Sequence, residues 1–239
     1  MPALPPVVTE LGAQLSALDW VTDLFVGGSL ATDDYVPAVS DLDLVALVHG
    51  VVDEGREARL SRLHRGIDAG AGAGLKLGCV YVDGARLGDL PALHPTWTHG
   101  SLVHRSLSGI ARAELVLHGF AVLGRPPQAV LPAMSPDDVR EAARAELTGY
   151  WARAARHPLW WLDPVMPDLG LTAMARGRYA LSTGELLTKT RAIEQAHAPD
   201  WLRDQMRARR RGACVRSPRV RSALIAWTDA RRTVARARA

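Results

Sequence analysis

Apolar residues recur at helical spacing at Leu11, Leu15 and Leu18, and the run Leu24-Phe25-Val26 that follows is closed by Gly27-Gly28. This predicts a helix over residues 11–20, then a short strand, then a turn. After a polar stretch over 31–40, the segment Asp41-Leu42-Asp43-Leu44-Val45-Ala46-Leu47-Val48 alternates acidic and apolar residues before turning fully apolar. Such a pattern predicts a strand entering a sheet, with both carboxylates on one face. Residues 54–69 place Leu60, Leu63 and Ile67 on one side and Arg and Glu on the other, an amphipathic helix ended by the glycines between 70 and 74. The segment 75–82 reads as the next strand. A helix–strand–strand–helix–strand order is that of a small mixed α/β sheet.

From Ser101 onward the pattern is helical, over 102–117 and 136–155, with a short strand at 121–123 as the exception. The second of these helices opens on Ser135-Pro136-Asp137-Asp138, a capping residue followed by proline and acids. Further helices are predicted at 169–183, 185–198, 200–210 and 218–238. The Pro-rich stretch over 124–136 is the best linker. The expected fold class is therefore an α/β (α+β) N-terminal domain with a mixed sheet over residues 1–125, followed by an all-α helical bundle over 126–239.

The chain has 239 residues, 48% of them hydrophobic, enough to bury a full core. Asp, Arg, Gly or Pro interrupts every apolar run well short of the ~20 residues of a bilayer span, so no membrane role is expected. The N-terminus, Met1-Pro2-Ala3-Leu4-Pro5-Pro6, lacks the basic start and apolar stretch of a secretory signal, and Cys79 and Cys214 lie far apart. These features lead to the expectation of a cytoplasmic protein with free thiols. The net charge of +4 is concentrated in arginines near the C-terminus, from Arg207 to Arg238. No nucleic-acid motif accompanies them, so they are read as solvated helical faces rather than a nucleic-acid surface.

Two segments carry candidate chemistry. Asp41 and Asp43, one residue apart on a strand, project the same way at a spacing suited to sharing one hard cation such as Mg²⁺. Upstream, Gly27-Gly28-Ser29 lets backbone N–H groups and the Ser29 hydroxyl approach phosphate oxygens closely, and Ser40 flanks the same place. Together they predict a metal–nucleoside triphosphate site and in-line attack by a substrate hydroxyl on the α-phosphate, with pyrophosphate leaving.

The order Gly28-Ser29 then Asp41-Leu42-Asp43-Leu44 resembles the signature of the polymerase-beta-like nucleotidyltransferase superfamily. Within it, the segments from His118 to Pro127 and from Ala175 to Lys189 are similar to those of aminoglycoside adenylyltransferases acting on streptomycin and spectinomycin. The resemblance implies a helical C-terminal domain that closes over the nucleotide, with Arg176 and Lys189 supplying cations to the triphosphate. It implies ATP as co-substrate, and a small-molecule hydroxyl acceptor of the amino-sugar class. The family also carries a third acid on the strand after the Asp pair, where this chain has Lys76-Leu77, so no base is assigned. The alternative is a non-catalytic nucleotide-binding or regulatory protein. Asp163 and Asp168 beside Trp160 and Trp161 are either a substitute grip for a cationic acceptor or part of a Trp cluster that anchors the bundle. Asp83 is read as a turn residue.

Overall fold

The structure, a computed structural model, describes residues 4–89 and 91–238. Residues 1–3, on which the reading of the N-terminus partly rests, lie outside the described residues. The chain forms two compact units, Met1–Ala133 and Met134–Ala239. Among the described residues no helix is long and apolar enough to cross a membrane.

The first unit runs α1 (Pro6–Ser16), β1 (Val21–Val26), α2 (Gly28–Ala31), β2 (Leu42–Val48), α3 (Glu54–Ala69), β3 (Leu77–Asp83), β4 (Leu93–Thr98), β5 (Ser101–Ser106), α4 (Gly109–His118), β6 (Phe120–Leu123) and α5 (Pro127–Val130). The strands form one sheet in the order β5-β4-β3-β2-β1-β6, in which β2 and β3 run parallel and the other neighbours antiparallel. Alternation along each strand separates the two faces. Leu42, Leu44 and Ala46 of β2 and Leu77, Cys79 and Tyr81 of β3 join Leu11 and Leu15 of α1 and Leu60 and Ile67 of α3 in one buried core. The intervening residues, Asp41, Asp43, Lys76 and Gly78, therefore belong to the opposite face. Helix α3 spans the range that its periodicity predicts, and its N-cap Asp53 accepts a hydrogen bond from the Arg56 N–H.

The helix expected over 102–117 is corrected. Residues 101–106 form edge strand β5, paired with β4, and α4 starts only at Gly109, capped by Ser108. The link between the strands is His99-Gly100, at φ +50° and +74°, the conformation of a tight hairpin turn. Because β5 is an edge strand with its ends exposed, its outward positions carry polar residues, and Leu102 and Val103 blend with the apolar positions of α4 into a false helical period.

In the second unit α6 (Pro136–Glu146) passes through a π-helical turn at Leu147–Trp151 into α7 (Ala152–Arg156); a 3₁₀ turn, α8 (Met166–Thr183), α9 (Lys189–Glu194), α10 (Asp200–Arg210) and α11 (Arg219–Arg238) follow. The helix expected over 185–198 is shorter than predicted. Gly184, at φ +76°, ends α8, and Thr188 caps α9 by accepting from the Arg191 N–H. Trp151, Trp161, Leu171, Met174, Leu202, Met206 and Ala226 form the core of the bundle. Trp161 lies so close to Gly170 that a Cβ there would come within 2.2 Å of its ring. Helices α8 and α11 are tied by Arg178, which donates to both carboxylate oxygens of buried Asp229 at 2.8 and 3.0 Å and to Thr233 Oγ1 at 2.7 Å. The chain is thus a mixed α/β sheet unit followed by a helical unit, as its patterning predicts.

Candidate active site

The glycine turn and the acidic strand meet directly. Gly27 donates its N–H to the Asp43 carbonyl at 2.8 Å. Gly28 then turns at φ +57°, and a Cβ on it would sit 2.2 Å from Asp43 Oδ2 and 2.9 Å from its Cγ. No side chain fits there, and the left-handed backbone disfavours one as well. The expected turn is also the start of α2, with Gly27 as its N-cap. Leu115 of α4 supports it from below, since a Cβ on Gly27 would lie 3.1 Å from its Cδ2.

Asp41 and Asp43 are both exposed, while Leu42 between them is fully buried. That alternation puts the two carboxylates on one side of the sheet. The strand is continued backwards by the Leu42 N–H, which donates to the Lys76 carbonyl at 2.8 Å. The loop that delivers Asp41 contains Asp33 and Ala38 at φ +55° and +63°, two side-chain-bearing residues in the left-handed region. Each costs about 1 kcal/mol, a strain maintained by the closure of the loop around Ser40.

Ser29 is 6% exposed, and its hydroxyl has no hydrogen-bond partner among the described residues. A buried O–H held without a partner is a donor waiting for an acceptor. Ser40 is also buried, but its Oγ accepts the Val36 N–H at 3.0 Å, so it closes the loop in addition to any role toward a ligand.

The residues present fit a magnesium ion. Its hard, octahedral shell is commonly filled by one or two protein carboxylates, phosphate oxygens and water, and Asp41 with Asp43 could supply the protein share. Among the described residues no cluster of three or more His, Cys, Asp or Glu side chains forms a denser cage. The position on β3 in register with Asp43 is Gly78, and Lys76 lies two residues earlier on the same face. Lys76 Nζ is 3.9 Å from Asp41 Oδ1 and donates to the Val39 carbonyl at 3.1 Å. A cation therefore stands where the resemblance calls for an acid. Leu77, the other residue in question, is buried in the core on the opposite face.

In the helical unit, Arg176 of α8 donates its Nε to the Leu187 carbonyl at 2.8 Å, which draws α8 to the segment that leads into Lys189 at the start of α9. Arg176 thus holds the backbone two residues before Lys189. Among the described residues Lys189 has no ion-pair partner.

The Trp160–Asp168 segment divides. Trp161 is core and donates its indole N–H to the Ala154 carbonyl, whereas Trp160 is 43% exposed and stacks on His157. Asp168 takes both ends of the Arg209 guanidinium, at 2.6 and 2.8 Å, and Asp163 accepts the Val165 N–H at 2.9 Å. The charge of Asp168 is thus shared with Arg209. Asp83 accepts the Ala85 N–H at 3.1 Å and acts as the turn residue its sequence context predicts.

One partnership has no signal in the local pattern. Asp23 of β1 is fully buried and accepts from Arg125 at three atoms, its backbone N–H, Nε and Nη2, and from Thr22 Oγ1. Burial alone raises the pKa of its carboxyl, but the Arg125 and Thr22 hydrogen bonds outweigh that and hold it below the usual range. Gly124, at φ +75°, lets the chain reach Asp23, since a Cβ there would lie 2.4 Å from the Thr22 carbonyl. The Gly124-Arg125 part of the segment that resembles the adenylyltransferases is therefore a structural lock on β1.

No family model matches the sequence, and no curated protein matches it. Among solved structures, the crystal structure of spectinomycin adenyltransferase AAD(9) from Enterococcus faecialis with ATP and spectinomycin is similar, with a TM-score of 0.71 at 15% identity over 95% of this chain and 96% of that chain. This likeness shows that the chain shares the fold of that adenyltransferase, sheet unit and helical unit together.

Proposed function

We propose that the chain is a nucleotidyltransferase that moves AMP from ATP to a hydroxyl of a small molecule. The observation that carries this reading is the contact between Gly28 and the Asp43 carboxylate, which joins a phosphate-accepting turn to a metal-binding acid without an intervening side chain. The likeness to an adenyltransferase solved with ATP supports it.

On this reading Asp41 and Asp43 hold Mg²⁺, which supplies positive charge to the phosphate oxygens of the nucleotide. The N–H groups of the Gly28 turn and the Ser29 hydroxyl donate to the triphosphate, and Arg176 and Lys189 are the cations assigned to the same group. The acceptor oxygen forms a bond to the α-phosphorus as the bond to the β-phosphate oxygen breaks and pyrophosphate departs; the hydroxyl proton is lost to water. Transfer without a dedicated base forgoes a factor of about 10²–10⁴, and positioning carries the reaction. Amino-sugars of the spectinomycin type come first among acceptors to be tried, and ATP as donor agrees with a cytoplasmic location.

The test is pyrophosphate release with Mg²⁺, ATP and a panel of hydroxyl-bearing acceptors. Wild type is expected to release pyrophosphate, and Asp41→Asn is expected to reduce the rate by at least about 10³-fold, the scale of a lost transition-state charge contact, while melting as wild type does. Full activity in Asp41→Asn overturns the mechanism. Nucleotide binding with no release for any acceptor overturns transfer in favour of a regulatory nucleotide-binding role.

A further inference from the structure

We propose that Lys76 is a built-in cation in the place of a second divalent ion, so that the site takes up a nucleoside triphosphate with a single metal and draws part of its charge compensation from the lysine. The inference rests on the nucleotide-binding reading above and deepens it.

Four observations carry it. Lys76 belongs to the same face as Asp41 and Asp43, and its Nζ stands 3.9 Å from Asp41 Oδ1. The Val39 carbonyl, at 3.1 Å, ties the exposed ammonium to the loop that delivers Asp41. The residue in register with Asp43 on β3 is Gly78, which brings no side chain to the face. Among the described residues no third acid or histidine completes a cluster.

Two carboxylates have enough charge to hold one divalent ion beside a polyphosphate, but a second ion needs further anionic ligands close by. Here the nearby ionic group is a cation. An ammonium beside Asp41 repels a second divalent ion, occupies part of the carboxylate's charge and attracts phosphate oxygens in its own right. The backbone does not forbid the alternative, because a Cβ on Gly78 would meet nothing closer than 3.7 Å. The arrangement is therefore a matter of charge and not of space.

The proposal makes opposed predictions for metal alone and nucleotide alone. Removing the ammonium strengthens Mn²⁺ binding to the nucleotide-free protein and weakens binding of the metal-free nucleotide. Lys76→Met is expected to shift each affinity about fivefold, the size of a half-exposed charge contact, and Lys76→Glu is expected to go further in both directions.

Mn²⁺ titration followed by electron paramagnetic resonance, on the whole chain without nucleotide, reads the first effect. Calorimetry with a non-hydrolysable ATP analogue in chelator reads the second, and a Mn²⁺ count with the analogue bound reads stoichiometry. The expected count is one ion per chain in wild type and two in Lys76→Glu. Two ions in wild type, or an unchanged Mn²⁺ affinity in Lys76→Met, overturns the proposal. If wild type ignores the analogue at every metal concentration, the nucleotide reading fails, and the Mn²⁺ titration still decides whether Lys76 opposes the metal.

Discussion

Gly28 shows how much one residue can determine. Its backbone lies in the left-handed region, and the space where a Cβ would go is filled by Asp43 Oδ2 at 2.2 Å. Gly28→Ala therefore meets two independent penalties. The conformation costs about 1 kcal/mol, and the clash moves either the turn or the carboxylate. The expected outcome is a small loss of stability in urea titration with a much larger loss of metal–nucleotide affinity, tenfold or more on the order of a displaced charged contact. Unaltered affinity in a folded Gly28→Ala protein would mean that the turn is not part of the site. His64 of α3 makes a different kind of residue-scale statement. It is fully buried, shares a 2.6 Å hydrogen bond with the Tyr81 hydroxyl and stacks on Trp97 at 4.9 Å, and burial pushes its pKa down to about 3. In the unfolded chain the same ring titrates near 6.5. Between those values the unfolded state holds a proton that the folded state does not, so stability is complete above pH 6.5 and declines as pH falls toward 3. The slope reaches at most about 1.4 kcal/mol per pH unit. His64→Gln, which keeps a partner for Tyr81, is expected to flatten that slope in urea unfolding between pH 7 and pH 4.5; an identical slope in the variant would rule out His64 as its source.

At the scale of elements, similar-looking arginines part company. Arg176 and Arg178 are two residues apart on α8, in a segment whose resemblance to adenylyltransferases covers both. Arg178 belongs to the bundle, where it neutralises Asp229, which is 5% exposed. Removing one partner of a buried pair strands the other charge at a cost of roughly 3 kcal/mol, so Arg178→Met is expected to lower the urea midpoint markedly. If that variant unfolds as wild type does, the α8–α11 tie carries no weight. Much of the C-terminal arginine excess is absorbed in the same manner: Arg207 pairs with Glu194, Arg209 with Asp168, and Arg221 and Arg231 lie over Trp201 and Trp227. What the pattern conveyed at this scale was uneven. Helix α3 was legible because one buried face gives it a 3.6 period, and strand β2 because exposed Asp43 alternates with buried Leu42 and Leu44 before a run that is buried on both faces. The β4–β5 hairpin was not, since an edge strand buries little and its period dissolves into that of α4, although His99-Gly100 held the turn signal. The helix expected over 185–198 overruns α9 at both ends, because Thr188 caps it only from Lys189 and the chain leaves the helix at Gln195.

For the whole molecule, the two-part organisation follows from where strand-forming periods cease, whereas the chemistry depends on residues that meet only in the fold. Asp41-Leu42-Asp43 is legible as a motif because its two carboxylates share a strand. The grip of Gly28 on Asp43, the lock of Arg125 on Asp23 and the approach of Lys76 to Asp41 join distant segments, and no local pattern encodes them. The same holds for the cations of the helical unit, where the fold distinguishes two residues that sequence alone treats alike. Arg176 holds the Leu187 carbonyl and so has a structural task beside any other. Lys189 has no ion-pair partner among the described residues, and a lysine spends side-chain entropy when it is fixed. If both serve the triphosphate, Lys189→Met should weaken binding of the ATP analogue about tenfold, the scale of one charge-assisted contact, at an unchanged melting temperature. Arg176→Met should weaken it as much and also lower the melting temperature, because the contact with Leu187 is lost with the guanidinium. Calorimetry paired with thermal unfolding separates the two variants, and an analogue affinity indifferent to both substitutions would confine nucleotide recognition to the sheet unit.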